Sequence, residues 1–253
     1  MTGKNFTMQN TQPFDNDFYA PTDLFAAAAA ADERAGFITK TYLYLFGAIA
    51  ALIAIETFLF TVLGMESMVN VTQAMLGNSS FLWLLVLGAF MLVSWIANSW
   101  AMNAASPTMQ HAGLGLYVVA MSVILIPLLC LAQLATGDSK IIVSAAMATA
   151  GLFAMLTFAV FITRKDFSFL RTILTFGGLA ALGFIVTAII FGFAPGPVFM
   201  YAMIALMCGY ILYDTSNVLH HYRIGQHVAA ALALFASVVM LFWYILQLFL
   251  SRE

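Results

Sequence analysis

The chain is poor in charge. Only 8% of its 253 residues are Asp, Glu, Lys or Arg, against roughly 25% in an ordinary soluble domain. A water-soluble globule is excluded, because too little polar surface exists to cover the 63% of residues that are apolar. Nine Lys+Arg against eleven Asp+Glu leave a net charge of −2, so there is no basic field to hold nucleic acid. The two cysteines, Cys130 and Cys208, sit inside apolar runs and form no disulfide framework, CxxC pair or metal-ligand spacing. They read as small apolar packing residues. Phosphate-binding loops, GxSxG and HExxH are missing too, so nothing recommends an enzyme, and no cofactor or metal is expected.

What is present is long apolar runs at regular intervals. They predict helical spans at Tyr42–Gly64, Phe81–Trp100, Gly113–Leu134, Ile141–Thr163, Thr172–Phe193, Val198–Leu219 and Val228–Leu250. Each is long enough to cross a hydrocarbon core of roughly 30 Å at about 1.5 Å per residue. Only helices satisfy their own backbone hydrogen bonds there, and the alternation of a barrel is lacking. Breakers mark the joints: Ser106-Pro107, Thr136-Gly137-Asp138 and Pro195-Gly196-Pro197. The expected fold class is an all-α integral membrane protein, a seven-transmembrane-helix bundle. Pro127 could split the third span and change the count.

Residues 1–35 differ in composition and are read as a separate N-terminal tail, with 36–253 as the membrane domain. The first 20 or so residues are expected to be disordered, and Asp23 to Lys40 to form a short interfacial helix. No signal-peptide pattern occurs at Met1, so insertion is expected to rely on the first span. Seven spans place Arg34, Lys40, Arg164, Lys165, Arg171 and Arg223 on the side of the N-terminus, and only Lys140 and Arg252 on the other. The expected topology has a cytoplasmic N-terminus and an outside C-terminus.

Two carboxylates fall within the spans, Glu56 and Asp214. An acid at membrane depth costs roughly 2.5–3.5 kcal/mol on insertion scales, so a reason for its retention is sought. Tyr210 and Asn217 share a helix face with Asp214 and can offer hydrogen bonds. Burial opposes its charge and donors favour it, a balance suited to exchanging a proton or a cation near the cytoplasmic mouth. The plainer reading has Asp214 reaching the interface to pair with His221 or Arg223. Glu56 either lines an outward cavity or is protonated and bonded to a backbone carbonyl. It is placed too deep to pair with Asp214: about 21 Å along its span, while Asp214 lies about 8 Å from the cytoplasmic end of its own. His111, His220, His221 and His227 read as interfacial, and Gly177-Gly178 and Ala229–Ala233 as close helix packing.

Three stretches carry a resemblance. Ile211-Leu212-Tyr213-Asp214-Thr215-Ser216-Asn217 resembles the "LYD" signature of the Bax inhibitor-1 family, also called the transmembrane Bax-inhibitor-motif family. Ala145-x-x-x-Thr149-Ala150-x-x-Phe153 resembles its fourth-span pattern, and Arg164-Lys165-Asp166-Phe167-Ser168-Phe169-Leu170 its "KKDLSFL"-like loop. Their order and spacing also agree, over roughly Tyr42 to Leu250. The resemblance implies a bundle around a central C-terminal helix. It also implies a cation leak, usually for Ca²⁺ and linked to H⁺, gated by two hydrogen-bonded aspartates in the sixth and seventh spans.

Asp214 matches the first of that pair. Ser237 stands where the second is expected and Met240 where an asparagine is expected; an arginine often found at the start of the third-span region has no counterpart around Ala104–Gln110. Two carboxylates sharing a proton make a pH latch, whereas Asp214 facing Ser237 would accept a hydroxyl hydrogen bond and titrate as one group. One carboxylate and a hydroxyl are also few ligands for Ca²⁺, which takes six to eight oxygens. The expected ion pathway comprises Asp214, Ser237, Tyr210, Tyr213 and Asn217, with Glu56 a secondary candidate. The resemblance is to a bacterial-type member, and the expected location is a bacterial inner membrane. Bacterial relatives also suggest an alternative, a regulatory protein there that restrains a membrane-anchored AAA protease, the Asp-rich tail serving as its handle. A transporter would call for inverted repeats, and none is visible.

Overall fold

The computed structural model describes residues 25–77, 80–103 and 105–252. It is helical throughout, and seven of its helical stretches are long and apolar enough to cross a membrane. Residues 1–24, which include most of the expected tail and the start of the expected interfacial helix, lie outside the described residues. Helix α1 (Ala31–Phe58) passes through a π-helical turn at Leu59–Leu63 into α2 (Gly64–Leu76). Then follow α3 (Ser80–Ala101), α4 (Pro107–Thr136), α5 (Lys140–Thr163), α6 (Leu170–Phe191), α7 (Pro197–His220) and α8 (His227–Leu250).

The joints behave as their residues dictate. Ser106 caps α4 by accepting the Met109 amide at 3.4 Å, with Pro107 in the first turn where its missing N–H costs nothing. Gly137 ends the same helix in the left-handed region (φ 71°), which a residue with a Cβ rarely adopts. Pro127 does not split α4: the helix runs 30 residues through it, and Pro127 is buried among its neighbours.

The first span departs from expectation. It does not stop at Gly64, and among the described residues no separate interfacial helix precedes it, since one continuous helix runs from Ala31 through Lys40 into the bundle. Gly64 (φ 79°) redirects the chain, and the polar-looking stretch after it is helix α2. Met68 of α2 packs on Ile126 and Cys130 of α4, an apolar contact that hydropathy alone does not reveal beside Glu66, Asn70 and Gln73.

Helix α8 is the centre of the bundle and packs against α1, α3, α4, α5 and α7. Ala229, Ala230 and Ala231 are buried at its start, and Leu234, Phe235, Leu241 and Leu246 are fully buried farther along. Small residues let neighbouring backbones approach, which matters in lipid, where packing rather than water exclusion drives helix association. Helix α6 is peripheral and packs on α3 and α7. Outward-facing Trp95, Phe176 and Phe191 are 72%, 68% and 77% exposed, an apolar exterior suited to a bilayer.

Chain direction puts Phe25–Ala30 and the loops after α3, α5 and α7 at one end of the bundle. These segments interlock there. The Ala26 amide donates to the Tyr222 carbonyl at 2.9 Å, and the Arg223 guanidinium lies over the Phe25 ring at 5.5 Å.

Candidate functional site

The motif on α7 sits one and a half turns from that end of the bundle. Asp214 precedes the end of its helix at His220 by about 9 Å of rise. Because a helix turns about 100° per residue, each motif residue meets a different neighbour. Asp214 faces α8 and is 8% exposed; its carboxylate accepts the Ser237 hydroxyl at 2.6 Å. Among the described residues this is its hydrogen-bond partner, and no cation lies within ion-pair distance.

Thr215, the next residue, turns toward α1 and α5. The hydroxyls of Tyr42, Thr157 and Thr215 face one another there, buried and without closing a hydrogen bond among the described residues. Ser216 points the other way: it accepts the Phe167 amide at 2.9 Å and so ties the loop after α5 to α7. Asn217 and Tyr213 line a cavity of about 380 Å³ at the end of the bundle, together with Arg171, His221 and Tyr222.

The structure thus separates residues that the sequence grouped. Tyr210 does not donate to Asp214; its hydroxyl bonds the Leu174 carbonyl of α6 at 2.9 Å. It closes the α6–α7 contact, where Gly178 leaves room for that hydroxyl: a Cβ there would come within 2.9 Å of it. The plainer reading of Asp214 does not hold either. His221 pairs instead with Asp166 at 3.0 Å, and Arg223 stacks on Phe25. His220 bonds the Ser216 carbonyl of its own helix at 3.0 Å.

Tyr222 was missed in the sequence because it lies beyond the helix, in the loop before α8. It folds back close to Asp214, and burial together with that carboxylate's charge pushes its phenol above the ordinary tyrosine range. In the loop after α5, the Ser168 amide and then His221 hold Asp166 below the usual carboxylate value.

Glu56 is far from all of this, near the opposite end of α1. Both its oxygens are buried and neither has a hydrogen-bond partner among the described residues, so the expected bond to a backbone carbonyl is not formed. Among the described residues no three His, Cys, Asp or Glu side chains gather closely enough to hold a metal ion.

A helical bundle with apolar outer faces and a carboxylate enclosed between its sixth and seventh spans defines a multi-pass integral membrane protein. Comparison with known proteins assigns the family. Residues 34–253 match the family model described as "Inhibitor of apoptosis-promoting Bax1". The chain belongs to the Bax inhibitor-1 family, a family not known as enzymes.

Bax inhibitor 1 of Schizosaccharomyces pombe is 35% identical over 116 residues, 44% of this chain and 42% of that protein. Protein LIFEGUARD 4 of Arabidopsis thaliana is 33% identical over 146 residues, 55% of this chain and 57% of that protein. These two alignments therefore span about half of each relative. A BI1-like protein of Arabidopsis thaliana is 27% identical over 223 residues, 85% of this chain and 80% of that protein. All three relatives are eukaryotic, so they lend no support to a bacterial inner-membrane setting.

Proposed function

We propose that the protein is a cation leak of the Bax inhibitor-1 type, with Asp214 and Ser237 forming the polar constriction near the end of the bundle that carries the start of α1. The observation that carries this reading is the 2.6 Å hydrogen bond between these two side chains, made between α7 and α8 in the interior of the bundle. A carboxylate there is costly, and packing alone gives no reason to retain it. It supplies negative charge where a Ca²⁺ ion or a proton would pass, and the buried hydroxyls of Tyr42, Thr157 and Thr215 give the α1 and α5 side of α7 a polar character. Asp214–Ser237 holds a single carboxylate, so the constriction opens by breaking one hydroxyl bond rather than by releasing a shared proton.

The excess of basic residues at this end, Arg34, Lys40, Arg164, Lys165, Arg171 and Arg223 against Lys140 and Arg252, supports a cytoplasmic location for it. The constriction is then the cytoplasmic mouth.

Reconstitution into liposomes loaded with a Ca²⁺ dye tests the proposal. The native protein should pass Ca²⁺, and Asp214→Asn should lower the flux by roughly 10-fold or more, the lower bound for focusing a cation in a low-dielectric cleft. Equal flux from both would remove Asp214 from the pathway. No flux from either would end the leak reading and favour the regulatory one, in which residues 1–24 engage a membrane protease.

A further inference from the structure

A second cavity, of about 850 Å³, lies on the outer side of the bundle between α1 and α4 and touches neither Asp214 nor Ser237. Its two parts differ in chemistry. Along the helices it is apolar and shallow-walled: Gly47 and Ala51 of α1 and Gly115 of α4 leave a slot, and a Cβ at Gly47 or Gly115 would meet nothing within 4 Å. Leu43 and Val119 border it and are 68% and 53% exposed.

At the end nearest the start of α1 the lining changes to Lys40, Tyr44, His111 and His227. Tyr44 and His111 are hydrogen-bonded at 2.7 Å, and the Tyr44 ring also lies 5.1 Å from that of His227. Lys40, His111 and His227 share this end of the lining, Lys40 supplying the positive charge and the two imidazoles hydrogen-bonding nitrogens. No acidic side chain lines the cavity, and Lys40 forms no salt bridge among the described residues. Asp32 and Glu33 on α1 lie about two turns nearer the helix start.

The dimensions match a lipid. From Tyr44 to Ile55 the slot runs about 17 Å along α1, close to the roughly 15 Å depth of one leaflet's hydrocarbon. A lysine flanked by two imidazoles at the headgroup level, above an apolar slot one leaflet deep, fits an anionic amphiphile lying parallel to the helices.

We propose that this groove is a binding site for an acidic phospholipid, its phosphate held by Lys40, His111 and His227 and one acyl chain laid along Gly47, Ala51 and Gly115. The charge complementarity selects the acidic headgroup, and the open glycines accommodate the chain. This site is independent of the constriction at Asp214.

The test uses the full chain in nanodiscs of equal parts phosphatidylcholine and phosphatidylglycerol. One lipid at a time carries a photoreactive group on an acyl chain, and the labelled peptides are mapped. Labelled phosphatidylglycerol should mark α1 and α4 along the groove in preference to the equally lipid-facing α6. Lys40→Gln should lower that labelling about 5-fold, the weight of one surface lysine against acidic lipid. Gly47→Leu should abolish it by filling the slot, without the loss of a basic group. Labelled phosphatidylcholine marking the groove equally well would overturn the headgroup assignment. Labelling spread evenly over the outer helices, or crosslinks to a second copy of the chain, would overturn the site itself.

Discussion

The Ser237 hydroxyl of α8 donates to the Asp214 carboxylate of α7 at 2.6 Å, and both residues are more than nine-tenths enclosed. This bond joins the central helix to the helix that bears the family motif. Replacing Ser237 by Ala leaves a buried acid without that donor, at an expected cost of about 1–3 kcal/mol. Asp214→Asn keeps an acceptor and removes the charge, so it should cost less or even stabilise. Thermal unfolding in detergent should rank native and Asp214→Asn above Ser237→Ala; the reverse order would mean that the bond contributes little.

Ser237→Asp puts a second carboxylate beside the first. Two acids at this separation cannot both ionise freely, so they hold a proton in common and titrate as a pair. The liposome flux of this variant should show two steps against pH, where that of the native protein should show one. A single unchanged step would place the two side chains apart in the membrane.

The glycines of α4 should differ sharply in what they tolerate. A Cβ at Gly113 would lie 2.5 Å from the Ala97 carbonyl and 2.7 Å from the Ala101 amide, backbone atoms of α3 that cannot step aside. Gly113→Ala should therefore cost about 1–3 kcal/mol through overpacking. Two residues on, Gly115 faces open space, and Gly115→Ala should be neutral or stabilise by up to about 1 kcal/mol through helix propensity. Unfolding midpoints of the two variants side by side provide the check.

Asp166 gives the loop after α5 a dependence on acid. The Ser168 amide and His221 depress its carboxyl below the ordinary aspartate value of about 3.9. A depressed acid contributes stability that is present above the unfolded value and is lost as pH falls through the folded one. Its side chain is 45% exposed, so the effect is small, within the range of about 0–1 kcal/mol for surface pairs. Asp166→Asn should flatten the fall in unfolding temperature below about pH 4 while leaving the neutral value almost unchanged. A fall as steep as the native one would assign it to other carboxyls.

Much of the fold was legible because length and hydropathy determine a span. Pro107, Gly137 and Pro197 mark helix ends whose local geometry requires such residues. The first span was harder to read. Glu66, Asn70 and Gln73 look like loop residues until α4 supplies Ile126 and Cys130 for Met68 to pack on. At the candidate site, the motif order pointed to Asp214 opposite Ser237, but helix spacing misassigned Tyr210. A shared face along one helix does not reveal that a neighbouring carbonyl, that of Leu174, lies closer. The convergence of Tyr42, Thr157 and Thr215, the return of Tyr222, and the pairing of His111 with Tyr44 all need the packing of separate helices. No one-dimensional pattern contains that information.

The place of α8 also bears on how the molecule is made. Every helix that packs on it precedes it in the chain, so the ribosome delivers the hub after the spokes. Until it arrives, α1, α4, α5 and α7 lack the one helix that all of them contact, and the faces that later enclose Phe235 and Leu241 are uncovered. The bundle around α8 then closes in one late insertion step rather than by gradual accretion. A nascent chain stalled short of His227 should be the form that quality-control machinery encounters.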